Sequence, residues 1–504
     1  MNHVEQSGVQ FPCDATGKRS SSATGREIVG AALARVAPTV ASAVRAESHW
    51  RQAYPRHFRA LVEASLGAPG NALSIAADGL HAAASRLEFV RGGVAGPVVE
   101  AMLRPCAAAL RTVELRGRAE ASPVAWAVPY RGRQLRGEAL RERIAAWQKD
   151  DIIEPGCARA LHRLLDHPEW FDLSDRHLVL LSAASEAGPL AWLARWRANI
   201  VAVDLPQPEL WKHIARLVEA GNGRLLAPLA GGKALPIEQA GANLLTQTPE
   251  IAAWLVDLGR SVDLAALAYA DGALHVRLAV AMDAIIGQVS AAQPGSSLMF
   301  MATPTDVFAV SALTAQAALR RFAERGVLTR VADVCLQSLS GGRLLRPSIS
   351  NALPAGVADP CAIVDALVVE QGPNYALAKR LQQWRALCAR AAGQRVSLNV
   401  APPSTTRSVT RSPVMQAAYR GAAYYGIEVF EPATTAALAA GLWVHDLRCD
   451  VAVANPRRAL QTPLELLVEQ ANHGGLWRLG YQARSVMPLA AARGWLGSHF
   501  SAGR

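Results

Sequence analysis

His177-Leu178-Val179-Leu180-Leu181-Ser182-Ala183-Ala184-Ser185-Glu186-Ala187-Gly188-Pro189, running through Leu190–Arg197 into Asn199-Ile200-Val201-Ala202-Val203-Asp204, decides the fold class. Residues 177–181 are apolar without alternation, the mark of a strand covered on both faces. A turn of small residues follows, then a segment from Leu190 to Arg197 that begins as a helix, then a second apolar strand ending in an acid. Such a parallel α/β unit can set a pyrophosphate on its helix N-terminus and ribose hydroxyls on its carboxylate. Ser182, Ala184 and Gly188 are then the turn residues nearest a diphosphate, and Asp204 is the ribose ligand. Gly188 is the one glycine of this turn, and the alanines at 183, 184 and 187 admit a phosphate less closely than glycine does.

Downstream the alternation continues. Asp263 to Gly272 looks like a fourth strand with its exit loop, Leu274 to Val289 is an apolar-periodic helix, and Ser297 to Thr303 is a further strand. Tyr375 and Lys379 then stand four apart in Asn374-Tyr375-Ala376-Leu377-Ala378-Lys379-Arg380. On a helix they share a face, where an ammonium near a phenol favours its ionised form, and a phenol so tuned can exchange a proton at neutral pH. The pair alone marks many solvated helices. Here a helical run from Leu381 to Ala392 follows, closed by Gly393, and then a β-branched strand leading to Ala401-Pro402-Pro403-Ser404-Thr405-Thr406.

This order of elements resembles the short-chain dehydrogenase/reductase family over roughly Leu178 to Leu447. The resemblance implies a doubly wound parallel sheet (Rossmann-like, α/β) that binds NAD or NADP and acts as a carbonyl reductase or alcohol dehydrogenase. It implies that Tyr375 passes the proton, that Lys379 lowers the phenol pKa and holds the ribose, and that Thr303 or Thr305 orients the carbonyl. Ala270 lies where the family carries Asn-Asn-Ala-Gly, and Pro402 and Thr405 (or Thr406) lie where it carries the loop that contacts the nicotinamide amide. Pro403 stands in place of that loop's glycine, which stiffens it. Asp204 favours NAD over NADP, whose extra phosphate it repels, although Arg195 and Arg197 are near in sequence.

Thr303 and Tyr375 are much farther apart than in the family, which places an insertion at about 306–370 or transfers the role to Ser338 or Ser340, after a strand-like run from Val327. Gly341 to Pro360 reads as irregular, a lid or pocket wall as readily as a plain surface insertion. After the threonine loop, Ser412 to Tyr425 reads as helix, Ile427 to Phe430 as strand and Pro432 to Leu442 as helix.

The rest of the chain sets limits. With 504 residues and half of them hydrophobic it has material for two or three domains. Residues 1–25 read as a polar mobile tail without the apolar core of a signal peptide. Residues 26–172 read as a mainly helical N-terminal domain with breaks near Pro55, Gly67–Gly70 and Gly92–Pro97, and residues 173–504 as the nucleotide-binding domain. No uncharged apolar run reaches membrane-span length. Seven scattered cysteines without a Cys-x-x-Cys pair exclude a disulfide scaffold or metal knot and suit a reducing cytoplasm. His445-Asp446 and His473-Gly474-Gly475 catch the eye, but lone histidines are more often structural. The formal charge of +11 reflects arginines interleaved with glutamates, as in Tyr130–Arg143, and argues against nucleic acid. The expected partner is a small carbonyl or alcohol substrate, with a homo-oligomer left open. Two other classes stay in play: a non-catalytic Rossmann-like scaffold, and an S-adenosylmethionine-dependent methyltransferase that would use Asp204 and give Tyr375 and Lys379 no task.

Overall fold

The computed structural model describes residues 7–104, 109–231, 236–349 and 361–501. Its centre is a seven-stranded sheet made of β1 (Arg111–Arg116), β2 (His177–Leu181), β3 (Asn199–Val203), β4 (Arg224–Leu229), β5 (Asp263–Ala266), β6 (Ser297–Ala302) and β7 (Val396–Val400). The order across the sheet is β7-β6-β5-β2-β3-β4-β1, all parallel except β1, which pairs antiparallel with β4. The chain moves one way from β2 to β4, then returns to lay β5, β6 and β7 on the other side of β2. The β2/β5 junction is therefore the switch point of a doubly wound sheet, where the loops diverge and leave a crevice.

Successive strand residues face opposite layers. Val179, Leu181, Val203, Leu264, Phe300 and Leu398 enter one core, shared with Ile28, Tyr54, Ile75 and Leu377. Leu178, Leu180, Ala202, Ala265 and Met299 enter the other, shared with Trp147, Leu161, Trp211 and Trp443. The strands read as unbroken apolar runs because helices cover both faces.

The N-terminal region carries helices together with short strands, and its helices are not set apart from the sheet. Helices Ser21–Leu33, Trp50–Leu66 and Asn71–Arg86 join the first core, and β1 closes the sheet edge. Gly79 lies so close to Trp384 on the Gly372–Ala391 helix that a Cβ there would come within 2.3 Å of the indole. Of the expected tail, residues 1–6 fall outside the described residues, whereas Gly8–Gln10 pairs antiparallel with Glu88–Val90. Val9 and Phe11 draw it in by being buried, and Ser20 caps the helix that begins at Ser21. Pro55 does not break the chain but sits inside the Trp50–Leu66 helix.

Other boundaries differ from expectation. The segment from Leu190 to Arg197 gives a single helical turn, Leu190–Leu193, because Trp192 and Trp196 turn into the second core and pull the chain straight on to β3. The run from Val327 is a helix, Val327–Leu339, and not a strand, since Val327, Val331 and Val334 recur at helical spacing. Ser340 ends that helix, donating to the Gln337 carbonyl and accepting from the Leu344 N–H. Ile427 to Phe430 makes no strand, only a bridge from Phe430 to Ser404. Between β6 and the tyrosine helix, Val307–Ser311 pairs antiparallel with Cys361–Asp365, with helices Ala312–Ala323 and Val327–Leu339 in between. Most of the stretch read as irregular, residues 350–360, lies outside the described residues. The Ala273–Ala292 helix is long and apolar enough to cross a bilayer by length and composition, although it carries Arg277 and Asp283 and so is no uncharged run. Its buried face lies in the first core, with Val276, Val280, Ile285 and Ile286.

Candidate active site

Parallel strands deliver their carboxyl ends to one edge, so the residues that follow β2, β3, β5, β6 and β7 all surface beside the crevice. Tyr375 reaches it from the Gly372–Ala391 helix, which carries a proline in its first turn and follows directly on the insertion. The Thr303 hydroxyl, one residue past β6, stands near enough to the Tyr375 phenol to oppose part of the effect of burial on its pKa. Thr303 Oγ1 lies 2.7 Å from Thr305 Oγ1, and Thr305 donates to Gln371 Oε1 at 2.7 Å. The result is a polar chain from Thr303 to Gln371, at the root of the tyrosine helix. Burial pushes the Tyr375 phenol up to about 12, with the Thr303 hydroxyl opposing and the charge of Asp306 adding.

Lys379 is close but works differently from the expectation. Its Nζ donates to the Met301 carbonyl at 2.9 Å and to Gln382 Oε1 at 3.3 Å, which pins the tyrosine helix to the end of β6. Burial lowers the ammonium to about 8. Lys379 depresses not the phenol but its other neighbour, His275, which is lowered to about 3 by burial first and by the Lys379 charge second. His275 is therefore a neutral imidazole at any pH near 7.

His275, Tyr269 and Tyr419 escaped the sequence reading. His275 opens the Ala273–Ala292 helix, and its Nδ1 sits 3.0 Å from the Ala270 carbonyl. Its Nε2 is buried with no hydrogen-bond partner. The imidazole lies 5.5 Å from the Tyr375 ring and 4.9 Å from the Tyr269 ring, centroid to centroid. Tyr419, on the helix after the threonine loop, raises its own pKa through burial and then through the nearby Tyr375. A lone polar residue at the start of an otherwise apolar helix was the available signal for His275; nothing linked Tyr419 to the site.

The residues proposed for the adenosine and diphosphate side lie along the same edge but are engaged with one another. Asp204 Oδ2 accepts from the Ala184 N–H and Oδ1 from the Leu205 N–H, both at 2.9 Å, and the carboxyl is raised by burial. Ser182 holds a positive φ of 78° and donates its N–H to the Val203 carbonyl, while Gly188 closes a tight turn onto the Ser185 carbonyl. Glu186 accepts the Arg407 N–H at 2.9 Å, bridging the turn after β2 to the loop after β7. Since β5 and β6 separate these two strands, the bridge passes over the crevice. Thr405 directs both its N–H and its hydroxyl at the Phe430 carbonyl, at 3.0 and 3.4 Å, and Pro402 receives the Ser404 hydroxyl.

A dinucleotide therefore fits this edge unevenly. The nicotinamide side offers the phenol, an unpartnered buried imidazole nitrogen and the Ala270 loop. On the other side, Asp204 already holds two backbone N–H groups, which leaves one lone pair on each oxygen for ribose hydroxyls, and a one-turn helix has little positive terminus to give a phosphate.

No protein-family model and no curated protein matches the chain. Among solved structures it is similar to a short-chain type dehydrogenase/reductase from Mycobacterium marinum, with 12% identity and a TM-score of 0.33, over 61% of this chain and 98% of the other. That likeness is too slight to carry either fold or chemistry, both of which rest on the strands and side chains above. Elsewhere the eye-catching His473 is structural: fully buried, it binds Glu154 at 3.0 Å in a network with Arg478. Among the described residues no cluster of three metal-ligating side chains occurs.

Proposed function

We propose that the chain is an NAD(P)-dependent oxidoreductase that reduces a small carbonyl compound, with Tyr375 as proton donor. The supporting observation is the clustering of the Tyr375 phenol with His275 and Tyr269, near Thr303 at the carboxyl end of β6 and beside the switch point of a doubly wound sheet. A nicotinamide, when bound, supplies the hydride. Tyr375 gives its proton to the carbonyl oxygen and regains one from solvent, and Thr303, held by Thr305 and Gln371, orients that oxygen or the phenol. Asp204, Ser182, Ala184 and Gly188 would hold the ribose and diphosphate, and Lys379, Ala270, Pro402 and Thr405 the nicotinamide side. Lys379 acts chiefly as a strut from the tyrosine helix to Met301. A phenol that ionises near pH 12 is protonated at neutral pH, which favours reduction over alcohol oxidation.

A second reading, a Rossmann-like scaffold without turnover, is favoured by the engaged Asp204 and by the Glu186–Arg407 bridge. A methyltransferase leaves Tyr375, Thr303 and Lys379 without work. Thermal shift with NADH, NADPH and S-adenosylmethionine separates the three, since ligand at a hundred times its dissociation constant adds roughly 2.7 kcal/mol. Stabilisation by a reduced nicotinamide, with turnover of a carbonyl panel lost in Tyr375→Phe, supports the reductase. Silence with all three ligands supports the scaffold, and equal turnover by the mutant removes the phenol from the mechanism.

A further inference from the structure

The strongest concentration of charge lies elsewhere, at the amino edge of the sheet, where the first residue of β7, Val396, bonds the Ala454 carbonyl. A cavity of about 670 Å³ opens there, between the Pro155–Asp166 helix, the end of the Pro432–Arg448 helix and the loops that follow. Arg159, Arg163, His445, Arg457 and Arg458 line it against the carboxylates of Asp450 and Glu469. His445 carries a proton at neutral pH: burial would lower it, but hydrogen bonds to Asp446 and Cys449 hold it up at about 9. His445 is balanced by Asp446 at 3.0 Å, so the four guanidiniums less the two carboxylates leave an excess of two positive charges around the cavity.

These cations are only partly neutralised within the protein. Arg159 and Arg458 share one carboxylate, Glu469, at 2.8 and 3.5 Å. Arg163 directs one N–H at the Cys449 sulfur at 3.0 Å, and the Arg457 guanidinium has no partner among the described residues. Gln470, 5% exposed, lines the same cavity with a buried amide oxygen that makes no hydrogen bond. Gly156, in the first turn of the Pro155–Asp166 helix, also lines it, and Glu154 gives that turn no side-chain cap. The positive end of the helix adds to the same field.

We propose that this cavity binds a small molecule bearing phosphate groups. Guanidinium forks from a helix and a loop surround the space from different sides and can meet several oxygens of a tetrahedral anion. The excess charge exceeds what one carboxylate would neutralise. The volume falls within the usual range for small-molecule pockets, roughly 300–1,000 Å³, so there is room for the organic part. Gln470 supplies an amide to orient that part. Nothing in this site draws on Tyr375 or the crevice at the opposite edge.

Isothermal titration of the full chain with inorganic pyrophosphate, and separately with citrate, tests the assignment. The variants are Arg159→Gln, Arg457→Gln and the pair, all at exposed guanidiniums and checked by circular dichroism. Saturable pyrophosphate binding, tighter than citrate and weakened roughly tenfold or more by each variant, is expected, as a lost hydrogen bond between charged groups predicts. No saturable binding, or wild-type affinity in the double variant, overturns the site. Tighter binding of citrate overturns the phosphate class.

Discussion

At Tyr375 the surroundings decide in which direction a proton moves. Burial keeps the phenol neutral up to about pH 12, so in the proposed reduction it would enter as an acid and not as a standing phenolate. Tyr375→Phe should cost about 10²–10⁴ in carbonyl turnover, the usual range for a general acid, while leaving the melting temperature nearly unchanged; steady-state rates beside a thermal melt check both. Lys379 gives a pH signature. Its folded pKa, about 8, lies below the ordinary 10.5, so between those values the unfolded chain holds a proton that the native chain has released. Stability should therefore rise by about 1–3 kcal/mol as pH climbs through that window and fall as pH drops back through 8. Urea midpoints at pH 7.5 and 9.5 read it, and Lys379→Met should flatten the rise. Helix spacing singled out Tyr375 and Lys379, and the family resemblance singled out Thr303 or Thr305; the structure sets these residues near one another at the end of β6. The sequence did not show that Lys379 would bond a strand carbonyl instead of facing the phenol, because spacing fixes a shared face and not the partner each side chain takes. His275 and Tyr269 join Tyr375 from a segment about a hundred residues earlier, beyond the reach of local pattern.

Among elements, the tyrosine helix is held to the base of the insertion by the buried pair Arg380–Asp306 at 2.8 Å, with Gln383 completing the carboxylate. Arg380→Met would strand Asp306 in the core and should destabilise by about 3–5 kcal/mol, whereas the double variant with Asp306→Leu should recover much of that loss; a denaturant double-mutant cycle decides. The same helix meets the N-terminal region at Gly79, under the Trp384 ring. Gly79→Ala should cost about 1–3 kcal/mol by overpacking, visible as a lowered midpoint with unchanged helical content. Residues 177–181, 199–203 and 297–302 were legible to within a residue because both faces are buried and their apolar runs are uninterrupted, whereas Arg224–Leu229, whose run is broken by Pro228, was not legible as a strand. The helix after Gly188 was not, since an apolar stretch holding Trp192 and Trp196 looks the same to periodicity whether it coils or crosses a core.

For the molecule as a whole, the two-domain expectation meets a shared interior. Helical periodicity in residues 26–103 announces an apolar face but cannot say what it rests on, and here it rests on the sheet side that also carries Val179, Leu264 and Leu398. A fragment of residues 173–504 would leave that face bare and β4 without its edge partner β1. It should be recovered as an aggregate or with native-like far-ultraviolet but collapsed near-ultraviolet dichroism, and a soluble fragment with sharp near-ultraviolet bands would contradict the shared core.

The contact of Gly79 with Trp384 also has a temporal side. The two residues are made 305 positions apart. At 5–20 residues per second a ribosome needs roughly 15–60 s to cross that gap, during which the first helices to emerge lack the tyrosine helix that completes their cover. Newborn chains should be wards of a chaperone for that interval, and expression at low temperature, which lengthens synthesis and weakens hydrophobic clumping together, is where yield should be most sensitive to holdase supply.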